Sequence, residues 1–465
     1  MDLSLYPVSF FLSIIALVPC SIYAWMNRRS GWGLPMLMVL GTTAVWYHGD
    51  GLYNDYERYR LTMGESALNA AWWQVLLFTV TFAIIVKPIH KAVNRRYLSR
   101  GSYLMLFAET NRIKHPTVQR QIDQLAMAML FAWAILMTIA LIRTNYNFSG
   151  MFAPYLGERG YPWIRGRMGG GISALLSLAG YLQILMTAGF GVIAALSTNP
   201  KTRSVAIAVC CLAFPYYIFD RTRNAMIATM LPGLLAWVFI RIEGGLWKKA
   251  AILLVAFMIT NVWFMFVVEN PIGRGVSVAE ALENAQKDES DFDNVVKKES
   301  KHEGLSMFSE LGYMNDFFDR GTFAPSWGGR YFAEVANIVP RGIWKDKPTI
   351  GVDYALARGF GSDVNVVHTG GISASIATGM IGQGVVNFGR LFGPMTAALL
   401  MSLWVAILAR QDLMGRDPAR LLLCVVGLIL TFNMGRDITL LVLYPFVFGL
   451  ILIKVFNYYK KRKKQ

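Results

Sequence analysis

Long uninterrupted runs of apolar residues dominate the chain, and short polar segments separate them. FLSIIALVPCSIYAW (11–25) and ILLVAFMITNVWFMFVV (252–268) are two of these runs. They are too long and too poor in charge for the core helices of a soluble protein, since a helix needs about 20 apolar residues to cross a bilayer. The pattern therefore predicts an all-α integral membrane protein.

The apolar runs predict about 11 transmembrane helices, within a range of roughly 10 to 12. The predicted spans are 8–25, 33–47, 71–86, 125–142, 172–196, 204–219, 225–240, 250–268, 391–409, 420–433 and 438–457. One further segment, 371–388, is only mildly apolar and is rich in Gly and Ser. Whether this segment crosses the membrane decides the topology.

The distribution of Lys and Arg favours a re-entrant segment at 371–388. If that segment does not cross, the inner side carries 23 Lys and Arg, and the short outer loops carry 9. Basic residues accumulate in the inner loops of membrane proteins, so this arrangement is the expected one, with the N-terminus outside. A re-entrant backbone is tolerated where protein or a water-filled cavity covers it.

This topology divides the chain into four parts. They are N-terminal transmembrane helices at 1–268, a large outer loop at 269–370, a C-terminal transmembrane part at 371–457 that includes the re-entrant candidate, and a basic inner tail at 458–465. Within the loop, the charged stretch 283–304 lacks apolar periodicity, which is typical of a mobile surface segment. GGRYFAEVANIVP (328–340) and DYALARGFG (353–361) predict two short helices, ended by proline and by glycine respectively.

The formal net charge of +16 does not indicate a nucleic-acid partner, because much of it lies in short loops beside spans. The tail KKRKKQ suits the anionic headgroups of the lipid bilayer. The four cysteines lie inside apolar runs, which favours small buried side chains, and the chain has neither a disulfide framework nor a zinc-binding spacing. We predict no metal and no cofactor.

Basic residues nevertheless gather at the predicted outer face, where positive charge is disfavoured. They are Arg341, Lys345 and Lys347 in IVPRGIWKDKP, Arg221 and Arg223 in FDRTRN, Arg436 in NMGRD, and Arg159, Arg165 and Arg167 in GERGYPWIRGRMGGG. Guanidinium groups bind phosphate oxygens bidentately and stay charged at every relevant pH. The pattern predicts an anionic ligand, and a diphosphate attached to a membrane lipid fits both the charge and the location.

Other roles stay open for these side chains. An arginine at the end of a span can be a snorkelling anchor to lipid phosphate, and this interpretation is favoured for Arg159. Trp344, like Trp163 and Trp327, can stack on a sugar ring or belong to the aromatic belt of the interface. His368, in HTGG at the entry to the re-entrant candidate, is either a general base or a loop hydrogen-bonding residue.

VPRGIWKDKP (339–348), followed by GMIGQGVVNFGRLFG (379–393), resembles the Wzy-type O-antigen and repeat-unit polysaccharide polymerases. Those proteins have a Pro-Arg, Trp, Lys-Pro pattern in a large periplasmic loop, then a Gly-rich segment ending in NFG and a final span. DRTRN (220–224) and GRD (435–437) are similar to the arginine-bearing turns of that family. The resemblance covers roughly 215–440 in arrangement, and before residue 215 it is limited to the multi-span pattern.

The resemblance implies a membrane-embedded glycosyltransferase of the bacterial inner membrane, with its large loop and active site in the periplasm. Such enzymes transfer a growing glycan from undecaprenyl diphosphate to a hydroxyl of an incoming lipid-linked oligosaccharide unit. A chain-length-regulating co-polymerase in the same membrane is a further partner that the resemblance allows. The catalytic candidates are Arg341, Arg436 and His368, and the substrate-binding candidates are Arg221, Arg223, Lys345, Lys347, Arg165, Arg167 and Trp344. Asp220, Asp353 and Asp363 are rivals of His368 for the role of base.

Two other functions share parts of this pattern. An O-antigen ligase has the same lipid-linked donor and the same topology, and the sequence separates it poorly from a polymerase. A flippase or other transporter for lipid-linked oligosaccharides would show repeat symmetry and broken helices in matching halves. This chain has one weak segment near its end and a long loop on one face only, which favours an enzyme.

Overall fold

The structure of the protein is a computed structural model, which describes residues 3–28, 30–98, 113–148, 171–219, 223–263, 306–336, 339, 343–344, 346, 348, 351–359, 376–413, 417–436, 438 and 440–462. Every regular element in these residues is helical, as predicted. The helices are α1 (Val8–Met26), α2 (Gly33–Thr43), α3 (Asp50–Tyr53), α4 (Tyr56–Met63), α5 (Glu65–Leu98), α6 (Pro116–Arg143), α7 (Gly171–Leu196), α8 (Pro200–Phe219), α9 (Arg223–Ile240), α10 (Leu246–Trp263), α11 (Met307–Asp319), α12 (Gly329–Ala336), α13 (Val352–Ala357), α14 (Met380–Leu413), α15 (Pro418–Met434) and α16 (Leu440–Arg462). A 3-10 turn (Leu3–Leu5) precedes α1, and a π-helical segment (Ala44–Gly49) follows α2.

Five of the described helices are long and apolar enough to cross a membrane. They are α1, α5, α6, the Ala179–Leu196 part of α7, and α14. Shorter apolar stretches lie in α9, α15 and α16. These helices support the membrane-embedded class, whereas the number of 11 spans and the side of the membrane on which the loop lies stay predictions.

The residues divide into two compact units that interleave along the chain. Unit 1 consists of Met1–Met105, Gly304–Leu413 and Leu430–Leu443, and unit 2 consists of Leu106–Glu303, Met414–Ile429 and Tyr444–Gln465. Each unit thus combines early and late parts of the sequence. The predicted division into four consecutive parts describes membrane topology, and it stays a prediction.

An aromatic cluster holds α1, α4, α5 and α11 together in unit 1. Trp72 is fully buried, stacks on Phe308 at 4.0 Å between ring centroids, and meets the edge of Phe10 at 4.8 Å. Tyr6 stacks on Tyr56 at 4.2 Å beside them. Such aromatic pairs contribute about 0.5–1.5 kcal/mol each beyond the area they bury. Helices from three separate parts of the sequence are therefore fixed around one point.

Helix α14 reverses direction within its length. Phe388 has φ −128° and ψ 15°, and Gly389 has φ 74° and ψ −173°, so helical geometry ends at this point. Glycine adopts a positive φ without steric cost. The backbones of Gly384 and Gly393 touch, although in a straight helix these residues would be about 13 Å apart. The helix therefore consists of a short limb (380–387) folded back on a long limb (390–413).

The short limb is buried along its whole length, and the long limb contains the predicted span 391–409. The long limb packs on α5, where Asn94 donates to the Ala406 carbonyl at 2.9 Å and Arg410 donates to the Asn94 side chain at 3.0 Å. Burial of the short limb in protein satisfies what a re-entrant backbone requires. Whether 371–388 is re-entrant in a bilayer stays a prediction, and 371–375 lie outside the described residues.

Unit 2 has a polar network at one end of its helices. Gln119 of α6 donates to the Leu196 carbonyl at 3.2 Å and accepts from the Thr198 N–H at 2.8 Å. Asp123 accepts from the Thr202 hydroxyl at 2.5 Å, which joins α6 to the start of α8. Of the cysteines, Cys210 and Cys424 are buried, as predicted, whereas Cys20 is half-buried and Cys211 is exposed on α8, where Cys210 takes the inward position.

Candidate functional site

The N-terminal end of the short limb is bonded to the turn between α15 and α16. The Gly379 N–H donates to the Arg436 carbonyl at 2.8 Å, and the Met380 N–H donates to the Gly435 carbonyl at 3.1 Å. The buried side chain of Gln383 accepts from the Ile438 N–H at 2.9 Å. The first N–H groups of a helix have no partner within the helix, so these bonds satisfy them and fix the turn. We name residues 379–383 and 435–438 the latch.

The π-helical segment Ala44–Gly49 holds the latch from a third side. The Tyr47 hydroxyl, which is fully buried, accepts from the Ile381 N–H at 2.8 Å. Gly435 lies so close to the indole of Trp46 that an added Cβ would overlap it. A π-helical turn is rare, and such turns are frequent at functional sites. The wide turn here points two aromatic side chains into the latch.

Of the three predicted catalytic residues, Arg436 is the one that lies within the described part of the chain. Its side chain is exposed, and its own carbonyl is part of the latch. The backbone that carries this guanidinium is thus held by bonds to a buried helix on one side and by the close approach of Gly435 to Trp46 on the other. An arginine on a fixed backbone is preorganised to bind an anionic group.

The other end of the short limb is bonded to the segment that leads into α12. The Asn387 Oδ1 accepts from the Tyr331 N–H at 3.2 Å and from the Ser326 hydroxyl at 3.2 Å. The Ser326 N–H donates to the Val386 carbonyl at 2.9 Å. One buried helix of eight residues therefore connects the arginine turn at its N-terminus to the loop helix α12 at its C-terminus.

A buried carboxylate caps helix α11. Asp50, which follows the π-helical segment, accepts from the Ser309 N–H at 2.9 Å, and from Asn54 at 2.6 Å and Tyr59 at 3.0 Å. Negative charge is stabilised at a helix N-terminus, where the backbone N–H groups lack partners. The cap fixes the beginning of α11 to the same segment that holds the latch.

The remaining length of α11 is also held by polar contacts. Asn315 and Gln74 form a reciprocal pair of amide hydrogen bonds at 2.8 and 3.0 Å, which joins α11 to α5. Arg390, at the start of the long limb, donates to the Asn315 carbonyl and to Asp319, both at 2.6 Å. These contacts join the reversal of α14 to helix α11 within unit 1.

A buried ion pair joins α11 to α13. Arg358 donates to both carboxylate oxygens of Glu310 at 3.1 Å, and its guanidinium lies 3.5 Å from the centroid of the Tyr313 ring. The Tyr354 hydroxyl donates to the same carboxylate at 2.5 Å. Burial, followed by the negative charge of Glu310, raises the pKa of Tyr354 well above its usual value, so the phenol stays neutral and acts as a donor.

A second ion pair joins Arg330 of α12 to Asp353 of α13, with Arg330 buried and Asp353 partly exposed. Both Arg330 bonds go to Asp353 Oδ2, at 3.0 and 2.6 Å, and the guanidinium lies over the Phe323 ring. Asp353 was a rival candidate for the general base. Its Oδ2 is already occupied by two guanidinium donors, so the structure favours a role in holding α12 and α13 together.

Trp344 lies on an exposed part of the loop and meets Phe332 edge-to-face, with 6.2 Å between ring centroids. The structure leaves both predicted roles open to it, since an exposed indole can meet a sugar ring or a lipid interface. It does not contact the latch through any of the interactions that the described residues show.

The other predicted site residues lie outside the described residues. They are Arg341, Lys345, Lys347, Arg165, Arg167, Arg221 and His368, together with the rival bases Asp220 and Asp363. Arg223 begins α9, but its side chain is not described. Stretch 283–304 likewise lies outside them. These assignments stay predictions.

Sequence reasoning missed the residues that build the site. It did not single out Asp50, Tyr47 or Gln383, and it did not predict α11, whose apolar residues Phe308, Leu311 and Met314 have helical spacing. It did predict the helices observed as α12 and α13. In the described part of the chain, no three His, Cys, Asp or Glu side chains lie close enough together to hold a metal ion.

Comparison with known proteins finds no relative of this chain. No family model, no curated protein and no solved structure matches the chain. The function must therefore be argued from the site itself.

Proposed function

We propose that this chain is a membrane-embedded glycosyltransferase that polymerises lipid-linked oligosaccharide repeat units. The donor is a growing glycan on undecaprenyl diphosphate, and the acceptor is a hydroxyl of the incoming undecaprenyl-diphosphate-linked unit. The reaction takes place at the periplasmic face of the inner membrane. A chain-length-regulating co-polymerase is the protein partner that such a reaction would use.

The observation that carries the proposal is the setting of Arg436. An exposed guanidinium projects from a tight turn between two apolar helices, and the latch fixes that turn. An arginine binds phosphate oxygens with two N–H donors at once and stays charged at every relevant pH. A diphosphate whose lipid tail stays in the bilayer would meet such a group at the membrane boundary.

Arginine suits the chemistry of this transfer. The acceptor oxygen forms a bond to the anomeric carbon, the bond from that carbon to the diphosphate oxygen breaks, and the acceptor proton passes to a base. Negative charge accumulates on the departing diphosphate. Guanidinium donors held in place stabilise this charge more in the transition state than in the ground state, which lowers the barrier.

The remaining candidates have complementary roles in this proposal. Arg341 acts with Arg436 on the diphosphate, and His368 takes the acceptor proton. Arg221, Arg223, Lys345, Lys347, Arg165 and Arg167 attract and bind the anionic substrates. Arg330 and Arg358, which the structure shows paired with carboxylates of the same loop, are assigned to the scaffold instead.

Complementation of a deletion strain tests the proposal. A polymerase deletion should remove the glycan ladder and leave a single repeat unit on its carrier, whereas loss of a flippase or a ligase should leave no unit at the surface. Loss of every surface unit would contradict the polymerase and point to one of those two functions.

Point variants then test Arg436. Arg436→Ala should lower polymerisation by roughly a hundredfold, because the loss of one charge-assisted contact to the leaving group costs about 3 kcal/mol in the transition state. Arg436→Lys keeps the charge but loses the bidentate geometry, so it should recover only part of the activity. Arg58→Ala, at an exposed arginine of α4, is the matched control and should give a normal ladder. A normal ladder from Arg436→Ala at matched expression would remove Arg436 from the mechanism.

A further inference from the structure

Helix α12 has the reverse of the polarity expected for a helix on a water-exposed loop. Its buried residues include the charged Arg330 and Glu334, and its exposed residues include Phe332 and Val335, which are 58% and 59% exposed. A helix beside water normally turns its apolar side chains inward and its charges outward. The exposed face of α12 is therefore suited to an apolar environment.

The apolar surface continues beyond the helix. Trp327, Ile343 and Trp344 are exposed as well, and Trp344 meets Phe332 edge-to-face. Trp327 has a φ of 51°, in the left-handed region that bulky side chains rarely adopt. A bulky side chain kept exposed in a strained backbone conformation favours a functional contact over a packing role. We name these five residues (Trp327, Phe332, Val335, Ile343 and Trp344) the α12 face.

The position of α12 indicates what covers this face. The segment before α12 is hydrogen-bonded to Val386 and Asn387, and a Cβ added at Gly328 would lie 3.5 Å from the Phe388 ring, at the reversal of α14. The long limb 390–413 begins there, and at about 1.5 Å per residue it is about 36 Å long. The hydrocarbon core of a bilayer is about 30 Å thick, so the end of this limb reaches the headgroup region.

The first turn of the long limb also indicates that this end of the limb lies at the membrane boundary. Leu391 and Phe392 are both more than half exposed, directly after the reversal that α12 contacts. Exposed apolar side chains at the end of a membrane-spanning helix lie against lipid. The segment that leads into α12 is thus hydrogen-bonded to the part of the protein that lies at the boundary between acyl chains and headgroups.

We infer that α12 lies in the plane of the bilayer interface, with the α12 face against lipid at the boundary of headgroups and acyl chains. Tryptophan is enriched at this depth, where its ring is apolar and its N–H meets water. This inference concerns membrane contact alone and does not depend on the proposed activity.

Spin labels on the full-length protein in nanodiscs of phosphatidylethanolamine and phosphatidylglycerol test the inference. Single-cysteine variants Phe332→Cys and Val335→Cys would be compared with Ile15→Cys, on the exposed face of α1, and Glu57→Cys, at an exposed polar position of α4. Power saturation measures access to oxygen, which concentrates in lipid, and to a nickel chelate, which stays in water. The labels at 332 and 335 should be at least fivefold less accessible to the chelate than the label at 57, and open to oxygen as at 15.

Two outcomes would overturn the inference. Chelate access equal to that at 57 would place the α12 face in water. Low access to both reagents would mean that protein covers it, either a second copy or another chain. A photoreactive benzoylphenylalanine at position 332 in the otherwise native protein gives an independent measurement, since replacing Phe332 by a larger aromatic side chain on an exposed face leaves the fold intact. It should form lipid adducts in the nanodisc, and adducts to protein in their place would refute the inference.

Discussion

The buried pair of Glu310 and Arg358 gives the sharpest prediction about stability. The Glu310 side chain is 8% exposed and the Arg358 side chain is 19% exposed. The two residues are 48 positions apart in the chain, and their pair joins α11 to α13. Arg358→Met removes the guanidinium and leaves the Glu310 carboxylate buried, with the Tyr354 hydroxyl as its remaining donor among the bonds described above. Breaking a fully buried pair costs about 3–5 kcal/mol, and the partial exposure of Arg358 lowers this to about 2–4 kcal/mol.

The loss of unfolding free energy caused by Arg358→Met should depend on the charge of Glu310. Glu310→Gln keeps the shape of the side chain and an acceptor for Tyr354, but it removes the charge that Arg358 neutralises. In that background Arg358→Met no longer strands a carboxylate, so its cost should fall by about 1–3 kcal/mol, which is the coupling expected for residues in direct contact. Arg320→Met is the control, because Arg320 is 59% exposed in its pair with Asp316, and exposed pairs contribute at most about 1 kcal/mol.

Titration with sodium dodecyl sulfate from a mild detergent, followed by circular dichroism, would measure the free energy of unfolding of the four proteins of this cycle and of the control. The expected result is a large loss for Arg358→Met alone, a smaller one in the Glu310→Gln background, and little change for Arg320→Met. Equal losses in both backgrounds would refute the reasoning. The guanidinium would then stabilise the loop through the Tyr313 ring and not through the carboxylate.

Two further predictions concern the latch and the Tyr354 phenol. Gly435→Ala should destabilise the protein by about 1–3 kcal/mol and shorten the glycan ladder, because the added methyl group overlaps Trp46. Gly41→Ala, in an open part of α2, is the control and should be neutral or stabilising in the same unfolding titration. Equal effects of the two variants would contradict this prediction. The pKa of Tyr354 is raised in the folded state, so its contribution to stability is fully present below the unfolded pKa of about 10 and is lost as pH rises toward the folded pKa. Unfolding free energy should therefore decrease above about pH 10, and Tyr354→Phe should flatten that decrease; an unchanged slope would contradict it.

Local signals explain what the sequence predicted well. The apolar runs are long enough to specify helices by themselves, and α13 ends two residues before Gly359, whereas α12 ends at Ala336, four residues before Pro340. The mild hydropathy and high glycine content of 371–388 separated this segment from the ordinary spans. The NFG sequence at 387–389 coincides with the reversal of α14, where glycine supplies the positive φ.

Contacts between distant residues explain what the sequence could not predict. Tyr47 and Ile381 are 334 residues apart, and Asp50 and Ser309 are 259 residues apart. No pattern of period or spacing pairs such residues. Charge position alone also cannot separate a ligand-binding arginine from a structural one, since an arginine such as Arg330 or Arg358 looks the same in sequence whether its partner is a substrate or a carboxylate of the same loop.

The latch bears on the choice between enzyme and transporter. Alternating access requires one part of a transporter to move against another around the binding site. The turn that carries Arg436 is held instead by two backbone hydrogen bonds to the short limb and by the Gln383 side chain, and a glycine packed against Trp46 leaves it little room. Electrostatic catalysis has the opposite requirement, because donors that are already in place cost no reorganisation when charge develops on the leaving group. An arginine on a fixed backbone at the end of two apolar helices is therefore easier to reconcile with the transferase proposed above than with a carrier.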